Sequence, residues 1–155
     1  MAAALPQMYP DQFSQSSVVG SQDLRIMDSK VMSGVLAASV TGNLIAGSRV
    51  KFDSANTQAG KLVFVAAADN ETAHGVIIKT AQKTQFTGGD MIEVAYSGGP
   101  VVYFCASTTI APGTGVGQAT GFLVAADGTH STMGLLIDAA VESAMVRVII
   151  GHVAC

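Results

Sequence analysis

Charge is what this sequence has least of. Asp, Glu, Lys and Arg together make up 12% of the 155 residues, about half of the ~25% that is typical of soluble domains. A disordered chain or a coiled coil needs far more charged residues, so both classes are excluded. The net charge of -3 also argues against a dedicated nucleic-acid-binding protein, because such a protein needs a basic face to neutralise phosphates.

Cysteine is scarce and tryptophan is missing. The two cysteines, Cys105 and Cys155, lie far apart and form no Cys-x-x-Cys metal pair. A bridge to Cys155, at the end of the sequence, would add little, so the sequence predicts two free thiols in a reducing compartment. The first residues contain Pro6 and Pro10 but no basic region before an apolar stretch, and we therefore expect no signal peptide.

Long uninterrupted hydrophobic runs are lacking too, although 49% of the residues are hydrophobic. Two stretches, Val31–Ser48 and Val94–Ala126, carry no charged residue. A membrane-spanning helix needs ~20 mostly apolar residues. Because glycine, proline and polar residues divide both stretches into short pieces, we expect no membrane span.

No pattern in the sequence is typical of a metal site or a cofactor site. His74, His130 and His152 stand alone, without a second histidine at ligand spacing. Asp69 and Glu71 lack the spaced acidic set of an EF-hand calcium loop. The sequence therefore predicts no metal and no cofactor.

Catalytic patterns are missing as well. The glycine-rich residues 113–117 are not followed by the Lys-Ser/Thr of a P-loop or by a helix, so a pair of β-turns is the better interpretation. No Gly-x-Ser-x-Gly nucleophile elbow is present. A small β-rich enzyme would need histidine and carboxylate side chains that converge in one cleft, and no spacing predicts this. We therefore expect a protein that is not an enzyme.

Short β-strand patterns are what the sequence does contain. They lie at 31–40, 49–52, 61–66, 75–79, 91–96, 100–105, 122–126, 133–137 and 144–150. Glycine turns separate them at nearly regular intervals, which is typical of sandwiches and barrels. We predict an all-β fold, a small antiparallel β-barrel or β-sandwich, with at most one short helix, at 138–143.

Two hairpins are predicted from turn residues. The first joins the strand at 91–96 to the strand at 100–105 through the glycine turn at 97–99. The second lies at Asp127-Gly128, between the strands at 122–126 and 133–137.

The first thirty residues differ from the rest of the chain, because they are rich in proline and glutamine and show no hydrophobic period. We therefore divide the chain into an extended N-terminal arm, residues 1–30, and a β domain, residues 31–155. The arm is either a frayed tail or a segment that orders against a partner. Its candidate contact residues are Tyr9, Phe13, Val18 and Val19.

The order of several segments resembles a known family. A Gly-Asp turn precedes a strand, a Pro-Gly-x-x-Val segment follows, and alternating apolar segments close the chain. The segments are Phe86–Val94, Thr109–Val116, Gly121–Ala126, Met133–Ala140 and Val146–Ile150. Over roughly residues 44–150, this order is similar to that of the head-decoration, or capsid cement, proteins of tailed bacteriophages.

The resemblance implies a β-barrel-like domain that sits as a trimer on the outside of an icosahedral phage head and performs no catalysis. The implied partners are the major capsid protein and further copies of the chain. The implied location is the virion exterior, after synthesis in the host cytoplasm. The arm would then reach capsid subunits, and Val31–Ser48 and Val94–Ala126 are where we expect contacts to concentrate. The alternative is a receptor- or glycan-binding β domain of a phage tail or fibre.

Overall fold

The structure is a computed structural model that describes residues 19–22, 31–55, 62–96 and 101–151. Twelve strands lie within these residues. In chain order they are β1 (Val31–Leu36), β2 (Leu44–Ile45), β3 (Arg49–Phe52), β4 (Val63–Ala66), β5 (Gly75–Ile78), β6 (Gln85–Phe86), β7 (Met91–Tyr96), β8 (Val101–Cys105), β9 (Gly115–Ala119), β10 (Phe122–Ala125), β11 (Gly134–Leu136) and β12 (Met145–Ile150). The prediction of an all-β fold is confirmed.

Five strands close the first barrel, in the order β1, β4, β3, β5, β7 and back to β1. The alternation of side chains along β7 places Ile92 and Val94 inside and leaves Glu93 outside. Every pair is antiparallel except β1 with β4, where Val35 lies beside Val63 in parallel. The antiparallel prediction therefore holds for all but this one pair.

Strands β10, β9, β11, β12 and β8 form a second five-stranded sheet in that order. Its two edge strands meet where Ala106, just after β8, forms a parallel bridge with Leu123 of β10. The Ser107 N–H also donates to the Leu123 carbonyl over 3.0 Å. The sheet therefore curls into a second barrel that is closed by fewer hydrogen bonds than the first.

The two barrels repeat one plan. Strands β8, β9, β10, β11 and β12 occupy the positions of β1, β3, β4, β5 and β7, and the residue pairing coincides. Val50 lies opposite Ala66 in the first barrel, and Val116 lies opposite Ala125 in the second. The parallel pairing also coincides: β1 pairs in parallel with β4, and the residue after β8 forms a parallel bridge with β10. The described chain is thus a tandem duplication of one β unit.

A turn that recurs four times is the strongest mark of this duplication. Each copy contains a residue of positive φ, from 66° to 93°, whose N–H donates to a strand carbonyl over 2.7–2.9 Å. The strand residue that provides this carbonyl donates its own N–H to the carbonyl of the residue that follows the positive-φ residue, over 2.9–3.0 Å. The four positive-φ residues are Gly47, Gly89, Gly113 and Ser143.

Each barrel has its own apolar interior. The first is filled from all five strands and from Phe86, with Leu36, Phe64 and Ile77 fully buried. The second contains the matching side chains Ala106, Leu123 and Leu136 among others. Because each interior needs one apolar residue at every second strand position, the alternation in the sequence predicts most of these residues.

Both predicted hairpins are wrong. Strand β7 belongs to the first barrel and β8 to the second, so the chain crosses between barrels where a glycine hairpin was expected at 97–99. Strand β9 lies between β10 and β11, so Asp127-Gly128 does not join paired strands. The hairpin of the second barrel is β9–β10, through the two-residue turn Thr120-Gly121 with φ of 48° and 87°.

The helix candidate at 138–143 is an extended bridge followed by a turn. Ala140 pairs with Ile110, just as Leu44 of β2 pairs with Phe86 of β6 in the first barrel. The turn that follows is the fourth copy of the recurring turn, so the backbone amides there are already used by the barrel. The glycine-rich residues 113–117 were predicted to be a pair of β-turns, but they form one turn and the start of β9.

Ser143→Gly is expected to stabilise the chain. Ser143 is the one non-glycine among the four equivalent residues, and a side chain in the left-handed region costs ~1–2 kcal/mol. Part of that gain is offset by the freer unfolded chain, so we expect a net gain of ~0.5–1 kcal/mol in the free energy of unfolding by chemical denaturation. Gly113→Ala is the converse control, because open space surrounds its Cβ position and only the backbone cost remains. If the free energy of unfolding stayed the same in both variants, the turns would not be equivalent.

Candidate interaction surfaces

The contact between the two barrels is made by one face of the first barrel. Along β5, Ile77 points into the first barrel, whereas Val76 and Ile78 point outward and join the apolar cluster of the second barrel. Ala95 of β7 joins them there. This outer face is 0–3% exposed, so the second barrel covers it. Because β5 is buried on both faces, its sequence Gly-Val-Ile-Ile contains no polar residue.

The second barrel meets this face with one of its ends. Gln118 is 4% exposed, and its side-chain amide donates to the Gly47 carbonyl over 2.7 Å. The ring of Phe104 lies 3.6 Å from the place where a Cβ on Gly47 would be. Gln118 therefore ties the end of the second barrel to a turn of the first, through a buried hydrogen bond that supports the apolar contact.

A buried arginine braces the loop beside this contact. Arg49 is 3% exposed and donates to the carbonyls of Ala68 and Asp69, each over 2.9 Å, and of Glu71 over 2.5 Å. Burial lowers the pKa of Arg49, and the nearby charges of Asp69 and Glu71 oppose that shift. The Asp69 carbonyl of this loop in turn accepts a hydrogen bond from the Ser131 N–H over 2.9 Å. Arg49 therefore has a structural role at the junction of the barrels.

The described part of the predicted arm also lies at this junction. Gly20 donates to the Tyr103 carbonyl over 2.8 Å, and Tyr103 donates to the Ser21 carbonyl over 2.9 Å, so residues 19–22 extend the edge at β8. Val19 is half-buried against the core of the second barrel. Of the candidate contact residues, Val19 therefore contacts the chain's own domain, whereas Tyr9, Phe13 and Val18 lie outside the described residues.

Exposed large apolar side chains are unusually informative in a chain with so little charge. They are Ile45, Phe52, Leu62, Met91, Phe122, Leu135, Val141 and Met145, at 38–65% exposure. Only Ile45 and Phe122 fall in the charge-free stretches Val31–Ser48 and Val94–Ala126, whose other large apolar side chains mainly fill the cores. The sequence does not predict the other exposed apolar side chains, because strand alternation does not show which outer face of a barrel stays uncovered.

The residues considered for metal binding have other roles. His74 accepts a hydrogen bond from the Phe52 N–H over 2.9 Å and stacks on the Phe52 ring. His130 contacts Asp127 over 3.0 Å. Glu71 pairs with Lys51 over 2.8 Å. Within the described ranges, no group of three His, Cys, Asp or Glu side chains is placed to hold a metal ion, and no described helix is long and apolar enough to cross a membrane. His152 and Cys155 lie outside the described residues, and Cys105 is a half-buried free thiol.

Asp90 and Asp127 each organise a turn. The Thr87 N–H donates to Asp90 over 2.9 Å, and Lys83 adds an ion pair of 3.1 Å, which together lower the pKa of Asp90. The N–H groups of Thr129 and His130 lower the pKa of Asp127 in the same way. Both carboxylates therefore favour the folded state while they are ionised.

Comparisons with known proteins show a likeness of fold. No protein-family model and no curated protein matches the chain. Among solved structures, the chain is similar to the N base of head fiber gp8.5 of bacteriophage phi29, with a TM-score of 0.53 and 16% sequence identity. The match covers 83% of this chain and 98% of that chain. A match of this extent is longer than either barrel, so the shared fold includes both.

Asp90→Asn is expected to lower the melting temperature at pH 7, and the loss should shrink in acid. The folded-state pKa of Asp90 lies below its ordinary value. Its contribution is therefore present above the ordinary Asp pKa and is lost as the pH falls through the lowered folded value. Melting curves between pH 7 and pH 2 of the wild type, of Asp90→Asn and of the exposed-charge control Glu142→Gln check this. A melting difference that stays constant down to the lowest pH would contradict it.

Proposed function

We propose that this chain is a structural protein of a bacteriophage head that attaches to the capsid. The observation that carries the proposal is the likeness of the two-barrel fold to almost the whole N base of a phage head fiber. The order of sequence segments, which resembles that of head-decoration proteins, supports the same conclusion independently of that likeness.

Within this function we propose a decoration role. The chain binds the outer surface of an icosahedral head as an oligomer, a trimer, and stabilises it, with the major capsid protein as its partner. It is made in the host cytoplasm, resides on the virion exterior and has no enzymatic activity. Among the described residues, eight large apolar side chains are exposed, on a chain with 12% charged residues, and this supports an assembled working state. Many weak contacts repeated by symmetry then give firm attachment.

A second candidate is a capsid-bound base or a receptor-binding module of a fibre. The description of the similar structure as the base of a head fiber favours it. The two roles differ in what the purified chain does to the capsid. A decoration protein raises the temperature or the denaturant concentration at which the shell opens, whereas a fibre module binds without that effect, and a receptor-binding module binds glycans on an array.

The direct test is co-sedimentation of the purified full chain with capsids of the major capsid protein encoded in the same genome. The proposal expects saturable binding at regular sites, visible as trimeric knobs by cryo-electron microscopy, and a higher temperature of capsid opening. Saturable binding without that rise supports the fibre candidate. Failure to bind either expanded or unexpanded capsids would overturn the proposed function.

The arm prediction is tested on the same capsids with the double variant Tyr9→Ser and Phe13→Ser. Burying a large apolar side chain contributes ~1.5–3 kcal/mol, so loss of two anchors should weaken capsid binding at least about tenfold. The melting temperature of the β domain should stay unchanged. Gln12→Ser with Gln15→Ser is the matched control in the same segment. Equal binding by the wild type and the Tyr9/Phe13 variant would show that these two residues are not anchors.

A further inference from the structure

The second barrel covers the outer face of β5 and β7 in the first barrel. The second barrel has an equivalent outer face of its own, and that face is exposed. Strand register makes Val76 and Leu135 equivalent. Val76 lies opposite the first residue of β3, and Leu135 lies opposite the first residue of β9. Val76 is 1% exposed, whereas Leu135 is 50% exposed. The open face of the second barrel is defined by the equivalents of Val76, Ile78 and Ala95, which are Leu135, Ile137 and Ile149.

This open face has the composition of a buried one. The stretch from Gly134 to Ile137 reads Gly-Leu-Leu-Ile, close to the Gly-Val-Ile-Ile of β5, and neither contains a polar residue. The recurring turns beside the two faces also differ in whether they are covered. A Cβ on Gly47 would meet Val19 at 2.8 Å, whereas a Cβ on Gly113 would meet nothing within 4 Å. Within the described residues, the chain therefore builds this face twice and covers it once.

The first barrel also has an end that is equivalent to the covering end of the second barrel, and this end is exposed within the described chain. In the second barrel, the end that covers the first contains Gln118, and its equivalent in the first barrel is Phe52. Phe52 is 41% exposed and stacks on Phe64 and His74; Leu62, two residues before Phe64, the strand partner of Phe52, is 43% exposed. The open end of the first barrel, defined here by Phe52 and Leu62, is apolar and uncovered within the described chain.

We propose that the open face of the second barrel docks on the open end of the first barrel of a second copy of this chain. The contact repeats between copies the contact that already joins the two barrels within a copy. It names the surfaces that would build the oligomer of the proposed function and rests on that function only for the expectation of an oligomer. Because the two surfaces differ, the contact is heterologous, and three copies in a closed ring leave no surface unused.

Single charge substitutions test the two surfaces. Leu135→Glu and Phe52→Glu should each weaken self-association at least about hundredfold, because the contact would bury an unpaired carboxylate. Sedimentation velocity of the full chain at tens of micromolar measures this, and thermal melting verifies that each variant folds. Leu62→Glu replaces Phe52→Glu if the latter does not fold. Met91→Glu, at 65% exposure on neither surface, is the control and should leave the oligomer intact.

Mixing the two variants distinguishes a head-to-tail contact from a self-complementary one. Leu135→Glu retains an intact open end, and Phe52→Glu retains an intact open face. Their mixture should therefore form a species of two copies, one of each variant, while each variant alone stays monomeric. A self-complementary contact through either surface would give no such mixed pair.

Three results would overturn the proposal: a wild-type chain that is monomeric at these concentrations, an oligomer that survives Leu135→Glu, or a mixture that gives no pair. These results are separable from the proposed function, since no capsid is present. An oligomer with the expected variant behaviour that fails to bind capsids would overturn the function alone. A monomer that binds capsids would overturn the docking proposal alone.

Discussion

A barrel of five short strands is open at its ends, and the need to cover those ends governs this structure. The interior side chains at an open end meet water unless another surface closes it. In this chain the outer face of β5 and β7 closes the end of the second barrel, and Gln118 fixes the contact through the Gly47 carbonyl. The Arg49 loop and residues 19–22 gather at the same junction. A strand that serves two cores must be apolar on both sides, which lowers the charge of the whole chain.

The scarcity of charge therefore has a specific structural origin. Strand β5 is buried at all four positions, and the charge-free stretches of the sequence mostly line the two interiors. Apolar side chains remain exposed within those stretches, at Ile45 and Phe122, and also elsewhere, as at Phe52, Leu62 and Leu135. The low charge of the sequence led us to expect that some surface is covered in the working state. The comparison of equivalent positions in the two barrels is what carries the proposal about which surface that would be.

Most strands were predictable from the sequence, whereas β2, β6 and β9 and the pairing of the strands were not. Alternation and apolar runs located β3, β5, β7 and β12 within a residue or two, because burial of one face requires a period of two. Turn residues misplaced both hairpins, since Asp127-Gly128 satisfies its own loop through the Asp127 carboxylate. The sequence does not reveal the duplication, because few equivalent residues are alike. One pair that is alike has a steric reason: at Gly75 and Gly134 a Cβ would collide with the backbone of Ala95 and Ile149, respectively.

The differences between the barrels explain why the inner contact and the proposed outer contact need not be equally strong. At the end of the second barrel, Phe104 and Gln118 reach Gly47 of the first. The first barrel has Gly34 and Phe52 in those places, and Gly34 cannot be enlarged because a Cβ there would collide with the Phe64 ring. The proposed outer contact therefore has no equivalent of Phe104 or of the buried hydrogen bond that Gln118 donates. We therefore expect the inner contact to be the stronger of the two and the proposed outer contact, between separate copies, to be the weaker.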